Sequence, residues 1–389
     1  MAINIQPIID EIISRLALAD SGDVTSDQIR LEKLVKNATA TSGVLEYGAV
    51  NQLPDIDSST IGSIVYVTDT KYDKYGTFYA ALNTGWERIT LATDSDEDSY
   101  RIISGYPGNA YGYTSGGNSA PIIVDTISKF SFTSDGNATN VGTLTAQVWN
   151  VGAVSSKTNA YVLMGSIINK FPFATEGAST SIGTRIANTN STNTPGNSSI
   201  AYDAGYSTGG SPNVTSIEKV SFTVDGNSTN VGSLTVGRGY FMGQSSQEHG
   251  YSSGALDPVA LTQRIIDKFP FANEGNATDV GDLTEPMQGG AGQSSITHGY
   301  ASGSTRNTDK FPFSSDVNAT SIGDIFSTLD GSLFQYPAGH SSIDYGYISG
   351  GLKPTRVNHI EKFPFTSETA STNVGDLVQV MAYHGGHHV

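Results

Sequence analysis

Histidine is the side chain of this sequence with the widest chemical range, since imidazole serves as acid, base or metal ligand near neutral pH. Three of the seven histidines cluster at the C-terminal end, at His384, His387 and His388, a grouping able to bind zinc or nickel. His249 and His298 each precede a Gly-Tyr pair at equivalent positions of a repeat, which favours a structural role. We therefore expect neither a native metal site nor a cofactor.

A short acidic run offers a second candidate site. Asp94, Asp96, Glu97 and Asp98 surround Ser95, and alternating carboxylates can hold calcium. The run lacks the glycine and the glutamate that an EF-hand loop needs at its sixth and twelfth positions. A solvated linker is the alternative, and the pattern favours it.

Catalytic arrangements are poorly represented. The chain has no cysteine, which excludes a thiol nucleophile and a disulfide scaffold. Serine is abundant, but no Gly-x-Ser-x-Gly elbow occurs in an α/β context. No spacing pairs two of the acidic residues as a glycosidase requires. The sequence predicts a protein that is not an enzyme.

The charge limits the partners. The formal net charge of the 389 residues is −16, and an acidic surface repels phosphate backbones and anionic lipid. No window approaches the roughly 18 apolar residues of a membrane helix, and the N-terminus lacks the pattern of a signal peptide. We expect no nucleic-acid partner and no membrane insertion.

The elements that must position any site belong to a repeat. Lys-Phe-Pro-Phe occurs four times, and two looser copies complete a set of six, which begin at Lys129, Lys170, Lys219, Lys268, Lys310 and Lys362. A Val-Gly or Ile-Gly pair follows each copy at a constant distance, since the lysine and the glycine stand at 129 and 142, 170 and 183, 219 and 232, 268 and 281, 310 and 323, and 362 and 375. A unit repeated in this way indicates a solenoid, a propeller or an array.

Each unit reads as four short strands, as in the sixth: one from Gly339, a second ending at Gly350-Gly351, a third through Lys362-Phe363-Pro364-Phe365, and a fourth at 372–377. Four antiparallel strands per unit make one propeller blade. The predicted fold is mainly β, with a six-bladed propeller over 96–389; a solenoid of stacked β coils is the alternative. The end, Val378 to His387, matches the start of a further unit, so we expect its strand to join the first blade.

The repeat also predicts packing. The two phenylalanines of Phe-Pro-Phe lie two apart, so they share one face and pack on a neighbouring blade, with lysine and proline facing away. Proline cannot donate to a ladder, so we expect it at a non-bonded position or beside a distortion. The Asn-x-Thr triplets, such as Asn137-Ala138-Thr139, are expected to bond to local backbone in turns.

Two smaller regions precede the propeller. Residues 1–40 predict two short helices, the first with an apolar stripe from Ile8 to Leu16. The stripe needs a partner, either the next domain or a second subunit or larger assembly, which makes a homo-oligomer the expectation. Residues 41–95 predict a small β module with strands at 64–67, 78–81 and 85–89. Its "IVYVTDT", "FYAALN" and "GWERI" resemble small modules near the start of tailed-phage fibre and tail proteins.

The repeat itself resembles two families. The order of strands with Gly-Gly ending the second is similar to the kelch repeat over residues 100–389, although a kelch unit carries tryptophan in its fourth strand and these units carry Val-Gly or Ile-Gly. The combination of "DKFPF", "NATDVGDLT", "AGQSS" and "HGYxSG" resembles repeat-bearing virion structural proteins of tailed bacteriophages. This second resemblance implies a location in the phage particle, in its tail.

Loop lengths suggest where a binding face lies. The loop between the second and third strands varies in length, while the hairpin between the third and fourth strands does not. Measured from the first glycine at the end of the second strand to the motif lysine, this loop spans 116 to 129, 165 to 170, 209 to 219, 254 to 268, 303 to 310 and 350 to 362. Variable loops on one face often mark a binding face, and drift in unselected loops is the alternative. The candidate binding residues are Asn118, Asp125, Ser211, Asn213, Asp257, Gln263, Lys353 and Arg356.

These observations predict a virion structural protein, a tail fibre or tail-associated protein. Residues 1–95 would attach it to other virion proteins, and the propeller would present its variable face to a host-surface glycan. One alternative is a decoration or assembly protein that contacts only other virion subunits. A polysaccharide depolymerase is the other, and it requires carboxylates that converge at the central channel.

Overall fold

In the computed structural model the chain divides into two compact units, residues 1–103 and 104–389. The structure describes the residues 45–47, 64–67, 77–82, 85–89, 110–186, 196–199, 202–210, 214–257, 261–303, 307–324 and 335–388. Every regular element within these ranges is a strand, so no helix there is long and apolar enough to cross a membrane. The two helices expected in residues 1–40, and the acidic run from Asp94 to Asp98, lie outside the described residues.

The first unit contains one four-stranded sheet in sequential order, made of β1 (Leu45–Tyr47), β2 (Ile64–Val67), β3 (Thr77–Leu82) and β4 (Gly85–Ile89). The last three are the predicted antiparallel strands. Strand β1 was not predicted, and it pairs in parallel with β2, Leu45 opposite Val65. Strand β1 covers the edge of β2 that a three-stranded meander would leave open.

The second unit is a six-bladed β-propeller with four strands in every blade. Blades 2 to 4 each use four consecutive strands: β8 (Gly152–Ser155), β9 (Asn159–Met164), β10 (Ile167–Pro172) and β11 (Thr180–Thr184); β12 (Gly196–Ser199), β13 (Ala204–Thr208), β14 (Ser216–Ser221) and β15 (Thr229–Ser233); β16 (Met242–Ser245), β17 (His249–Asp257), β18 (Leu261–Pro270) and β19 (Thr278–Asp282). Blade 5 contains β20 (Ala291–Ser294), β21 (His298–Ser302), β22 (Thr308–Pro312) and β23 (Thr320–Ser321).

Blade 6 contains β24 (Ala338–Ser341), β25 (Tyr345–Ser349), β28 (His359–Pro364) and β29 (Thr372–Asp376), with the small hairpin of β26 (Leu352–Lys353) and β27 (Thr355–Arg356) inserted. Blade 1 combines β5 (Tyr111–Ser115), β6 (Thr126–Ser131) and β7 (Thr139–Thr143) with the C-terminal β30 (Gly385–His388). Strand β30 pairs with β5, Gly385 opposite Ser115. The predicted closure of the ring by the C-terminal strand is confirmed.

Aromatic contacts explain why the Lys-Phe-Pro-Phe motif repeats. The second aromatic of each copy lies beside a tyrosine of the preceding blade, with ring centroids 4.6 to 4.9 Å apart in the pairs Tyr113–Phe173, Tyr161–Phe222, Tyr206–Phe271, Tyr251–Phe313, Tyr300–Phe365 and Tyr347–Phe132. Both partners are buried or nearly so. The last pair joins blade 6 to blade 1, so the six aromatic contacts form a closed circle.

The lysine of each motif contacts the blade on the other side. It pairs with a carboxylate that lies six residues after the lysine of the following unit, in the pairs Lys129–Glu176, Lys170–Asp225, Lys219–Glu274, Lys268–Asp316, Lys310–Glu368 and Lys362–Asp135. The expectation that lysine faces away was therefore incomplete. Because side chains alternate along a strand, phenylalanine reaches one neighbour and lysine the other.

The glycine of the Val-Gly or Ile-Gly pair marks a close contact between blades in five of the six units. A Cβ on Gly183 would stand 2.1 Å from the carbonyl oxygen of Gly226, in the hairpin of the next blade, and the same approach occurs at Gly375 with Gly136. No side chain fits there. The constant spacing of the repeat places this glycine opposite the neighbouring hairpin in five of the six blades, and Gly323 of blade 5 is the exception among the described residues.

Two smaller predictions have different outcomes. The amide of Phe173 donates to the Thr158 carbonyl on the β9 side of the strand. Because successive residues point to opposite neighbours, the nitrogen of Pro172 points away from β9. On that side Pro172 lies beyond the last residue pair that β10 forms with β11. The expected non-bonded position of proline is confirmed. The asparagines of the Asn-x-Thr triplets reach further than predicted, since the side-chain oxygen of Asn137 accepts the Asp376 amide of blade 6 at 3.0 Å.

Candidate functional site

One face of the propeller, which we call the loop face, carries two sets of connections that vary in length. They are the loops between second and third strands and the connections from a fourth strand to the next innermost strand. The double glycines that end the second strands bond to the connections between blades: the Gly117 amide donates to Val148, and the Gly351 amide donates to Met381. Asn118 and Ala382 exchange two backbone hydrogen bonds in the same way. These bonds tie the loops between second and third strands of blades 1 and 6 to segments that lead into innermost strands at the channel.

The residues at the channel mouth adopt an unusual backbone conformation. Tyr240, Tyr336 and Tyr383 have φ of 56°, 56° and 61°, and each lies two residues before an innermost strand. Asn150 (φ 56°) and Gly289 (φ 61°) occupy the equivalent positions in two other blades. A left-handed conformation is costly for a bulky side chain and persists where the surroundings enforce it, often at ligand sites.

A chain of backbone hydrogen bonds enforces it here. The amides of Asn150, Tyr383, Tyr336 and Gly289 donate in turn to the carbonyls of Tyr383, Tyr336, Gly289 and Tyr240, over 2.6 to 2.9 Å. Each bond connects neighbouring blades around the mouth. The mouth is therefore a rigid rim, whose residues are held by main-chain contacts and not by their own preference.

Four aromatic side chains follow this rim, and we call them the aromatic arc: Trp149, Tyr240, Tyr336 and Tyr383. The rings of Tyr336 and Tyr383 stack with centroids 4.1 Å apart. Tyr240 meets Tyr336 edge-on at 5.7 Å, and Trp149 meets Tyr383 edge-on at 5.5 Å. Gly289 makes room for this packing, because a Cβ there would lie 2.5 Å from the Tyr336 ring.

The arc is partly exposed and uncharged. Trp149 is 37% exposed, and the three tyrosines are half-buried. Burial raises the pKa of Tyr240 and Tyr336, and it raises the pKa of Tyr383 to about 12, with the neighbouring Tyr336 adding to the rise. The phenols therefore stay protonated near neutral pH, and the hydroxyls of Tyr336 and Tyr383 form a hydrogen bond with each other beside flat apolar surface.

Below the rim, the innermost strands line a narrow channel. Its outer part is lined by small and apolar residues, including Val151, Phe241 and Pro337, and encloses roughly 500 Å³ including its open mouth. Its inner part is polar and lined largely by glycine and serine. Glycine is required because a Cβ on Gly292 would stand 2.1 Å from the carbonyl oxygen of Gly243 in the neighbouring innermost strand. No carboxylate is among the lining residues of the described part.

Buried polar side chains hold the innermost strands together. Gln244 donates to the Tyr300 carbonyl at 3.0 Å, and His340 in the equivalent position of blade 6 bonds to Ser349 and to the His387 carbonyl. His387, in the equivalent position of blade 1, is hydrogen-bonded to the Ser115 hydroxyl at 2.9 Å. Two of the C-terminal histidines, His384 and His387, are thus buried inside the ring, and Nε2 of His384 lies 3.2 Å from the Ser349 hydroxyl. Within the described residues no three potential metal ligands cluster.

The acidic side chains nearest the core are used for blade contacts. Asp267 is buried against Arg238, in the connection from blade 3 to blade 4, at 2.9 Å, and it accepts two bonds from Thr235. Asp309 accepts the equivalent pair from Thr284. These carboxylates lie on third strands and not on the channel wall. Each interaction satisfies a charge that burial would otherwise make costly.

The candidate binding residues divide into three groups. Asn118 and Arg356 lie at the aromatic arc: Asn118 pairs with Ala382, next to Tyr383, and the positive charge of Arg356 acts on the Tyr383 phenol. Lys353, on the same hairpin as Arg356, is buried. Asp125, Asp257 and Gln263 belong to other loops, where Asp257 and Gln263 extend β17 and β18 into a projecting hairpin in place of the predicted loop. Ser211 and Asn213 lie outside the described residues.

The aromatic arc was missed by the sequence analysis, although a signal existed. A tyrosine two residues before the innermost strand recurs in Gly-Tyr-Phe-Met at 239–242, in Gln-Tyr-Pro-Ala at 335–338 and in Ala-Tyr-His-Gly at 382–385. Comparing the ends of the units, and not only their lysine motifs, would have found it. Neither the models of known protein families nor the curated proteins contain a match to this chain.

Proposed function

We propose that this chain is a non-enzymatic virion protein of a tailed bacteriophage, a tail fibre or tail-associated protein, whose propeller recognises a glycan of the host surface. Residues 1–95 would attach it to other virion proteins, and self-association through the same region would make it a homo-oligomer. The resemblance of the repeat to tailed-phage virion proteins supports the context. The aromatic arc on the loop face is the observation that supports glycan recognition.

The arc has the chemistry that a sugar ring needs. A pyranose has an apolar face of C–H groups and an equatorial edge of hydroxyls, and aromatic rings beside hydrogen-bonding groups match both. Trp149 offers exposed indole, while Tyr336 and Tyr383 present flat ring surface with phenol hydroxyls. Asn118 and Arg356 add polar groups close to Tyr383.

The backbone supports the same proposal. A rim held by hydrogen bonds between blades keeps the rings in place before a ligand arrives, so little conformational entropy is lost on binding. The loops around the rim differ in length between blades, while the hairpins on the opposite face keep one length. A rigid centre with variable surroundings suits recognition of different glycans by related proteins.

Binding of the full chain to an array of bacterial surface glycans tests the proposal. Trp149→Ala is expected to lower the affinity about tenfold, a loss of ~1.4 kcal/mol. Tyr111→Ala is the matched control: Tyr111 is 38% exposed against 37% for Trp149, and it begins β5 at the end remote from the loop face. Absence of binding to any glycan, or equal losses in the two variants, would overturn glycan recognition.

The attachment requires a separate experiment. Deletion of residues 1–40 is expected to abolish incorporation into particles while the propeller still folds, as measured by particle composition and circular dichroism. A particle reconstruction would then locate the protein and the exposed face. A loop face covered by other subunits would favour the decoration or assembly role, and normal incorporation of the deletion variant would remove the proposed anchor.

A further inference from the structure

The polar inner part of the channel contains a circle of equivalent hydroxyls, which we call the serine ring: Ser155, Ser198, Ser245, Ser294 and Ser341. Each lies on the innermost strand of one blade and is less than a tenth exposed. His388 occupies the sixth place, on β30. Four of the serines and His388 line a cavity of roughly 390 Å³, including open space at its end.

Every serine of the ring is held by a main-chain donor. The amides of Ser155, Ser198, Ser245 and Ser294 donate to the hydroxyl of the next blade, at 2.8, 3.2, 3.0 and 2.9 Å. The His388 amide donates to Ser155 at 3.3 Å. The five hydroxyl oxygens therefore all act as acceptors, and their orientation is determined by the ring and not by local preference.

The hydrogens of these hydroxyls have no acceptor in the part of the protein that the structure describes. Among the described residues, no ring hydroxyl donates a hydrogen bond to another group, and the free space next to the ring is the channel. A buried donor without an acceptor is rare, because its lost hydration costs about 1–3 kcal/mol. A hydroxyl that accepts from a peptide N–H is also a stronger donor, since chains of hydrogen bonds polarise one another.

We propose that the serine ring binds a small inorganic anion, such as chloride, on the axis of the propeller. An anion accepts several converging O–H groups and has no hydrogens that need acceptors of their own. A cation is less suited, because the backbone carbonyls of the wall point along the ring: that of Gly243 points at Gly292 in the next strand. No carboxylate lines this part of the described channel.

The anion would have a structural role. It would bond to several blades at once, close to the place where the C-terminal β30 completes the ring. A ligand that binds only the folded state raises stability in proportion to the logarithm of its concentration. The site therefore predicts stability that depends on the kind of anion present, a property unrelated to glycan binding at the other end of the channel.

Thermal unfolding of the full chain in sodium bromide or chloride, exchanged for sodium gluconate at constant ionic strength, tests this site. The melting temperature is expected to rise with halide concentration and then to saturate. Ser294→Ala should remove the halide dependence. Ser295→Ala is the matched control, since Ser295 bonds to the Thr297 and His298 amides of a hairpin turn outside the ring and should keep the dependence.

Both substitutions lower the melting temperature measured without halide. The test therefore compares only how much the melting temperature of each variant rises with halide concentration. Crystals soaked in bromide provide the second measurement, and an anomalous peak at the centre of the ring is expected. A melting temperature insensitive to halide, an unchanged dependence in Ser294→Ala, a response to the cation instead, or density for ordered water alone would each overturn the proposal.

Discussion

Lys362 and Asp135 lie 227 positions apart in the chain, yet their charged groups meet at 2.7 Å where blade 6 joins blade 1. The pair repeats a contact made at each of the five other blade junctions, so closure of the ring uses the same chemistry as its propagation. The chain also continues from blade 6 into blade 1 through β30, so the two ends of the propeller meet within blade 1, where β30 pairs with β5. Asp135 lies in the hairpin between β6 and β7, so the pair connects blade 6 to the part of blade 1 that comes from the other end of the propeller sequence.

We predict that the Lys362–Asp135 pair adds little to the free energy of unfolding. The side chains are 18% and 58% exposed, and exposed pairs contribute about 0.2–1 kcal/mol because water screens the charges. A double-mutant cycle with Lys362→Met and Asp135→Asn, read by urea unfolding, measures the coupling. The Lys268–Asp316 pair, at the junction of blades 4 and 5, is the control. A coupling above about 2 kcal/mol between Lys362 and Asp135 would contradict the prediction.

The aromatic contacts between blades should dominate stability. Phe269 is buried against Tyr206 of the preceding blade, with ring centroids 5.6 Å apart. Phe269→Ala is expected to cost about 3–5 kcal/mol, since it removes apolar contact and leaves a cavity. Val224→Ala, at a position 69% exposed, should change the free energy of unfolding by less than about 0.5 kcal/mol. Similar effects of the two substitutions would show that the blades are loosely packed.

Two glycines allow the close contact between blades to be tested directly. A Cβ on Gly183 would lie 2.1 Å from the Gly226 carbonyl, whereas a Cβ on Gly226 meets nothing within 4 Å, and neither residue has a left-handed backbone. Gly183→Ala should therefore destabilise the protein by several kcal/mol, and Gly226→Ala should be nearly neutral. Melting temperatures of the two variants provide the measurement, and an unchanged value for Gly183→Ala would sink the steric explanation.

Buried histidines predict that the protein loses stability in acid. Burial lowers the pKa of His340 to about 4 and the pKa of His384 and of His387 to about 3, while an unfolded histidine titrates near ~6.5. Between these values the unfolded chain binds protons that the folded chain does not. The free energy of unfolding should therefore fall as pH drops below about 6.5, by up to ~1.4 kcal/mol per pH unit for each histidine.

Urea unfolding at pH 7 and pH 5 measures this slope. His340→Gln should reduce it, because glutamine is the natural residue at the equivalent positions Gln244 and Gln293 and does not titrate. Gln293→His, the reverse substitution, should make the slope steeper. If stability is the same at both pH values, the three imidazoles are not held neutral by burial.

The sequence by itself determined the repeated unit and therefore most of the fold. Six copies of one motif, each thirteen residues from a glycine (129 to 142 in the first), predict six four-stranded blades, and the unmatched C-terminal segment predicts their closure. The strands and turns of each blade follow from local rules, because the alternation of side chains along a strand and the preferences of turn residues act over a few positions. Loop lengths alone also made Asn118 and Arg356 candidate binding residues, although the sequence did not reveal their closeness to Tyr383.

Only the tertiary structure decided which blade each side chain contacts. Alternation along the strand places phenylalanine and lysine on opposite faces of a blade. The order of the blades around the ring then determines that Phe171 of blade 2 contacts blade 1 and that Lys170 contacts blade 3. The left-handed tyrosines and the serine ring depend on hydrogen bonds between blades, and the bonds from one serine amide to the next serine hydroxyl join residues 43 to 49 positions apart. Such contacts exist only after six separate units have closed into a circle, because no local preference favours them.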